Sequence, residues 1–346
     1  MRIVHCIYNL DSGGGAENLL IDILNKMCIT NKIELIIINT LYDKEMLDRI
    51  DCRVKIVKLN RKPGSRSIFP LIKFNWELIK FRAQVVHTHH CSIAAFLVPW
   101  PGRKSFSTIH DLNIPMKYSG RITSLFAISN AVKADAESRT SKNVVLVPNG
   151  IKIEEIFIKD IYDYHYPNAF KIVNVARLEA GKKGQDILIK AIGLLRKEGF
   201  DVHVDFIGEG SSKLMLENLA QQYGVADCVR CLGLKSRNYI YQHLRDYDVM
   251  CHPSRYEGFG LTVAEGMAAG LPVLVSNAGG PYELIEYGLL GKSFKMESFE
   301  DCALQIKNII QNYSENLKLY DIARNKITRN YSLDAMVEKY LCEYKK

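Results

Sequence analysis

The chain has 346 residues, 47% of them hydrophobic and 24% charged. That is a globular composition over a two-domain length, which excludes a disordered chain, a fibrous repeat and a small disulfide-stapled scaffold. The net charge of +8 is unevenly placed: residues 1–165 hold 23 Lys and Arg against 16 Asp and Glu, the remainder 23 against 22, so an anionic partner is expected for the first half. Nine scattered cysteines and an opening that reads at once as a strand, Arg2-Ile3-Val4, point to a reducing cytoplasm. No apolar run reaches the roughly 18 residues of a membrane span.

In chain order, the strand-like run Arg2 to Tyr8 stops at a turn containing Gly13, Gly14 and Gly15. Apolar residues then recur at Leu19, Leu20, Ile23, Leu24 and Met27, the spacing of a helix. Further buried-strand runs follow at 34–39, 54–59, 84–89, 105–109, 125–128 and 144–147, several of them separated by helical patterns. This alternation predicts a parallel, doubly wound sheet. After Pro148-Asn149-Gly150 the periodicity is lost through Tyr162, Tyr164, His165, Tyr166 and Pro167, which predicts a domain boundary near 160. A second alternation follows: strands at 170–176, 201–207, 229–232, 247–251 and 272–275, with helices near 184–198, 211–223, 237–245, 261–269 and 281–287. The tail, apolar at 333, 336, 337, 340 and 341, predicts an amphipathic helix. The expected organisation is an α/β protein with Rossmann-like domains at 1–160 and 161–330 and an amphipathic helix at 331–346 packing back towards the first domain.

Ligands of open parallel sheets bind beyond the carboxyl ends of the strands, where a strand gives way to a helix. Glycine-rich loops stand at such places, Gly13-Gly14-Gly15 in the first half and Gly208-Glu209-Gly210 in the second. Both suit phosphate, because glycine lets the main-chain amides of a helix start approach the ligand. Neither has the spacing of the dinucleotide fingerprint, which counts against a nicotinamide enzyme. The most specific stretch runs from Pro253 to Gly270, with Glu257 in a glycine-rich turn and Glu265 eight positions on, inside the following helix. Glu257 is placed to reach a reacting sugar and the Gly260 and Leu261 amides to face anionic oxygens. Glu265 suits hydrogen bonds from vicinal hydroxyls such as those of a ribose.

With this Glu-x7-Glu pattern the chain resembles the retaining GT-B glycosyltransferases of family 4. Gly13-Gly14-Gly15-Ala16-Glu17 is similar to that family's first loop, Val86-His87-Thr88-His89 to its mid-domain strand, His110-Asp111 to its active-site histidine motif, and Val147-Pro148-Asn149-Gly150 to its interdomain link. Ala176-Arg177-Leu178 with Lys183-Gly184 resembles its basic pair. The resemblance implies two Rossmann-like domains facing a central cleft. It implies a nucleoside-diphosphate-sugar donor, a UDP-sugar by family frequency, with its diphosphate on Arg177 and Lys183, assisted by the Gly260 and Leu261 amides, and its ribose on Glu265. Phe259, Gly208, Gly14 and Gly15 would also line the donor site. Glu257 would orient the transferred sugar and stabilise its positive charge, and His110 would touch that sugar or the phosphate. The adjacent Lys182 leaves the lysine assignment open between two residues. No metal or other cofactor is implied, and the acceptor would be a glycan, often on a polyprenyl diphosphate. A nucleotide-sugar epimerase and a non-catalytic nucleotide-sugar-binding protein are the rival readings.

Three other features have plainer readings. His87, His89 and His90 look like a metal cluster, but no third ligand on the strand face of His87 and His89 is evident. Cys228 and Cys231 form a lone C-x-x-C on a strand, the setting of ordinary thiols. Residues 61–82 interleave Arg61, Lys62, Arg66, Lys73, Lys80 and Arg82 with Phe69, Ile72, Phe74, Trp76 and Leu78. Such a segment either lies on an anionic membrane or buries its apolar face in the domain and leaves its cations wet. Nucleic acid is not indicated, since no recognised motif accompanies the charge.

Overall fold

The computed structural model describes residues 1–11, 14–159 and 169–346. Gly13 of the first loop, and 162–167 of the segment read above as a linker, lie outside the described residues. The chain divides into two compact units, Met1–Gly150 with Leu333–Lys346, and Ile151–Ser332.

The first unit is built on β1 (Arg2–Ile7), β2 (Lys32–Asn39), β3 (Lys55–Arg61), β4 (Val85–Thr88), β5 (Lys104–Ile109), β6 (Ser124–Ala127) and β7 (Val144–Leu146). The strands lie in the order β3-β2-β1-β4-β5-β6-β7, every pair parallel. Helices α1 (Gly15–Met27), α2 (Lys44–Asp48), α3 (Phe69–Lys80) and α4 (Asn130–Glu137) connect them. Runs such as Ile36-Ile37-Ile38 are buried throughout, as strands covered on both faces must be. Asp43 and Ser129 cap α2 and α4 by accepting hydrogen bonds from main-chain N–H groups.

The second unit repeats the plan with β8 (Phe170–Val175), β9 (Val202–Ile207), β10 (Val229–Gly233), β11 (Val249–His252), β12 (Val273–Ser276) and β13 (Lys292–Phe294), ordered β10-β9-β8-β11-β12-β13 and again parallel. Its helices are α5 (Ala180–Lys183), α6 (Gln185–Lys197), α7 (Lys213–Gln222), α8 (Arg237–His243), α9 (Leu261–Ala268), α10 (Gly279–Leu284), α11 (Phe299–Gln311) and α12 (Leu317–Asn330). In each sheet the strand order reverses beside the first strand, between β1 and β4 and between β8 and β11. Those two switch points are where loops splay apart and leave room for a ligand.

The units part at residues 150 and 151 rather than near 160. Residues 151–159 already run along the second unit, where the N–H groups of Ile151, Phe157 and Lys159 donate to the carbonyls of Tyr331, Tyr241 and Ala269. The final helix, α13 (Leu333–Lys345), belongs to the first unit: it packs beside α1 and buries Met336, Val337, Tyr340 and Tyr344 in that core. The short strand β13 and helices α11 and α12 are additions to the elements read from the sequence. In α11 the burial of Cys302, Ala303, Ile306, Ile309 and Ile310 shows the helical spacing that would have revealed it.

Helix α3 fits in part the second of the two readings given for residues 61–82, since it buries an apolar pair and leaves Lys73 and Lys80 exposed. It buries only Phe74 and Leu78, while Phe69, Ile72, Trp76 and Ile79 are exposed on its outer side. Apolar side chains therefore occupy both sides of the helix, and burial against the domain accounts for Phe74 and Leu78 but not for the four exposed residues. Among the described residues no helix is long and apolar enough to cross a membrane.

Candidate active site

In the second unit the loops that follow β8 and β11 meet at the switch point. Gly184, between α5 and α6, has φ +67°, and a Cβ there would fall 2.0 Å from the carbonyl oxygen of Pro253. Only glycine permits that approach, and it brings Lys183 to the β11 loop. The Lys183 ammonium forms an ion pair with the Glu257 carboxylate. Lys182 points elsewhere, its Nζ 4.5 Å from the centre of the Tyr256 ring. Arg255 clamps the same loop: its guanidinium is bidentate to Asp186 at the start of α6, at 2.8 and 3.0 Å, and also reaches Glu297.

His252, the last residue of β11, lies 3.6 Å from Glu257 through Nε2 and 2.9 Å from the Ser254 hydroxyl. Burial opposes the charge on Glu257, yet the His252 hydrogen bond and the nearby Lys183 cation together outweigh it and bring its pKa down to about 2. The carboxylate is thus held ionised. Gly279 and Gly280 clasp the loop from the far side, and the Gly280 N–H donates to the Glu257 carbonyl at 2.9 Å. Sequence reading missed His252, Ser254 and this glycine pair. The signal available was a polar residue ending an otherwise apolar strand, followed downstream by a second Gly-Gly ahead of a proline.

Gly260 caps α9 with φ +92°, a left-handed conformation that leaves the Leu261 N–H at the positive end of the helix. Phe259 is buried with its ring beside Tyr331, so only its main chain is available to a ligand. Glu265, one turn further along α9, is buried. Its Oε1 accepts from the Tyr241 hydroxyl at 3.0 Å and has Arg237 at 3.8 Å. Tyr241, wholly buried, has its phenol pKa raised by desolvation and by the Glu265 charge. Gly208 follows β9 and passes against the Ala176 carbonyl, beside Arg177. The Arg177 side chain is 58% exposed and lies 3.2 Å from Glu179, so it borders the site without joining the Lys183–Glu257 pair.

Gly14, Gly15 and His110 belong to the first unit. Gly14 caps α1 and accepts from the Asn18 amide at 2.9 Å; Gly15 opens the helix. His110 follows β5 directly, and its Nε2 is 3.4 Å from His89 Nδ1. The histidine cluster read from the sequence changes membership. His90 instead accepts from the Ser92 N–H as a helix cap, and the third member is His5 on β1, whose ligand atoms lie within 4.8 Å of those of His87 and His89. Register explains this, since His5 is paired with His87 across β1 and β4. A cavity of about 660 Å³ at the ends of β1, β2 and β4 is lined by Tyr8, Asp11, Glu17, Arg61, His89 and His90, among others.

Comparison with known proteins agrees with these two sheets. The glycosyl transferases group 1 family matches residues 164–326. Residues 164–326 therefore match a group 1 glycosyl transferase domain. Among curated relatives, Protein CapJ of Staphylococcus aureus is 29% identical over 47% of this chain and 45% of its own length. The amylovoran biosynthesis glycosyltransferase AmsK of Erwinia amylovora is 32% identical over 41% of this chain and 36% of its own. The chain therefore spans less than half the length of either relative. Among solved structures, Anabaena HepE in complex with UDP and glucose superposes with a TM-score of 0.82 at 18% identity, covering 100% of this chain and 99% of HepE. The fold is thus GT-B, two Rossmann-like parallel-sheet units.

Proposed function

We propose that this chain is a retaining glycosyltransferase that moves a sugar from a nucleoside diphosphate, UDP by preference, to a glycan in capsule, exopolysaccharide or O-antigen assembly. The observation that carries the reading is the meeting of Lys183, Glu257 and the amino end of α9 at the switch point of the second sheet. The UDP held by HepE and the polysaccharide named for AmsK support the donor and the setting. A diphosphate competes with Glu257 for Lys183. Once the phosphate oxygens take the ammonium, with Arg177 and the Gly260 and Leu261 amides adding to it, Glu257 is released towards the sugar. Glu265 takes the ribose hydroxyls, Phe259 and Gly208 contribute main chain, and Gly14, Gly15 and His110 serve the donor from the first unit.

In the chemical step the bond from the anomeric carbon to the diphosphate oxygen breaks and the acceptor oxygen bonds from the same face. The acceptor proton passes to the departing phosphate. Charge grows on the diphosphate as it leaves, so fixed cations and amides there lower the barrier most. Lys183 and Arg177 supply that charge in place of a metal ion, and no cofactor takes part. A panel of nucleoside-diphosphate sugars, read by thermal shift, tests the site: one of them raises the melting temperature, with and without chelator, and Lys183→Ala abolishes the rise. Absence of any shift across the panel overturns the reading, and a chelator-sensitive shift overturns metal independence. Release of a free epimer without acceptor would favour the epimerase alternative; stabilisation without turnover on any glycan would favour a binding protein.

The acceptor is proposed to be lipid-linked, and the enzyme to work at the cytoplasmic face of an anionic membrane. The exposed Phe69, Ile72, Trp76 and Ile79 of α3 support this. So does a neighbouring groove of about 570 Å³ lined by Arg61, Lys62, Lys73, Phe69, Ile72 and Trp76. Asn75 joins Val98 to the same surface, accepting from its N–H at 3.0 Å, and Val98 and Trp100 are exposed as well. The protein should sediment with phosphatidylglycerol vesicles and not with phosphatidylcholine vesicles, and Phe69→Glu with Trp76→Glu should release it. Equal sedimentation of that double variant would remove the membrane role.

A further inference from the structure

His5, His89 and His110 form a row at the switch point of the first sheet. His5 Nδ1 is 3.1 Å from His89 Nε2, and His89 Nδ1 is 3.4 Å from His110 Nε2. Successive ring planes are inclined by only 26° and 21°, with centres 5.4 and 5.7 Å apart, as for imidazoles joined edge to edge. His87 lies over the face of His89, with centres 4.7 Å apart, and commits both of its nitrogens, to Tyr344 at 2.6 Å and Thr108 at 2.7 Å. A metal ion needs lone pairs that converge on one point about 2 Å from each nitrogen. Stacked rings with engaged nitrogens do not offer that, so the group is a hydrogen-bonded array.

Burial keeps these rings neutral: it lowers His5 to about 3 and His110 to about 4, and holds His87 and His89 well below the ordinary value. A neutral imidazole donates from one nitrogen and accepts at the other. The row therefore has two self-consistent states, all three rings protonated at Nδ1 or all three at Nε2. The second state strands an N–H on His5 Nε2, which is buried and has no partner among the described residues, and turns a lone pair outward from His110. The first strands only a lone pair, the more tolerable defect, since orphaned buried N–H groups are rare.

We propose that His5 and His89 are positioning residues that hold His110 as its Nδ1–H tautomer, so that the ring offers an N–H to a sugar hydroxyl or phosphate oxygen. The identity of that oxygen rests on the function proposed above; the tautomer rests on the row itself and can be read without a donor. The experiment is nitrogen-15 NMR of the full chain labelled at histidine, with the His110 signals assigned by their loss in His110→Gln. In the wild type, His110 Nδ1 should resonate as a protonated nitrogen and Nε2 as an unprotonated one. His5→Asp, which sets an acceptor where Nδ1 donated, should turn the row over and move the His110 proton to Nε2. His5→Asn, whose amide nitrogen can replace Nδ1, should keep it on Nδ1. A wild-type His110 protonated at Nε2, a tautomer unmoved in His5→Asp, or one that moves to Nε2 in His5→Asn would each overturn the proposal.

Discussion

Lys183 and Glu257 neutralise one another in a half-buried setting, so removing either leaves its partner charged and poorly solvated. Lys183→Ala is expected to lower kcat/KM by about 10²–10³-fold, as the loss of one preorganised donor to a developing anion does. Far-ultraviolet circular dichroism should be unchanged, and steady-state transfer with the stabilising donor checks the rate. Tyr241→Phe removes one hydroxyl that serves both Glu265, at 3.0 Å, and Arg237, at 2.6 Å. The cost should be about 1–3 kcal/mol of stability, measured by urea unfolding. Which lysine enters the site could not be read from Lys182-Lys183-Gly184 alone: adjacent residues differ only in direction, and direction came from the close passage of Gly184 past Pro253.

The element whose placement matters most is α13, at the far end of the sequence from the strands it covers. Tyr344 and Tyr340 reach His87 and Thr108 in the first unit, at 2.6 and 3.0 Å. Tyr344→Phe leaves a buried histidine nitrogen unpaired and should cost about 1–3 kcal/mol, seen as a lower urea midpoint. The helical period of 333–344 was legible, because a spacing of three and four residues is local. The expectation that it returns to the first domain did not come from that period, which says which face is apolar and nothing about what covers it. The same gap applies to α3, whose mixture of apolar and basic residues was plain while the exposure of Phe69 and Trp76 was not.

At the scale of the molecule, acid should destabilise the fold well before its carboxylates protonate. His5, His87 and His89 are kept neutral by burial, with His110 beside them, whereas in the unfolded chain they titrate near 6.5. Above that value both states are neutral and nothing is lost; below it the unfolded chain alone takes up protons. Each of the three buried rings should then cost about 1.4 kcal/mol at one pH unit lower. Urea midpoints at pH 7.5 and 5.5 check this, and an unchanged midpoint would contradict neutral burial. Glu257 acts later and in the same direction, its contribution present above about 4.5 and lost as the pH falls towards 2. Strand runs, helical periods, glycine turns and the Glu257–Glu265 spacing were all readable along the chain, because backbone preference and burial pattern act between near neighbours. The pairing of Lys183 with Glu257, the His5–His89–His110 row and the return of Tyr344 to His87 join residues 74, 84, 21 and 257 positions apart. Strand register and crossover chirality bring such residues together, and those are properties of the folded sheets.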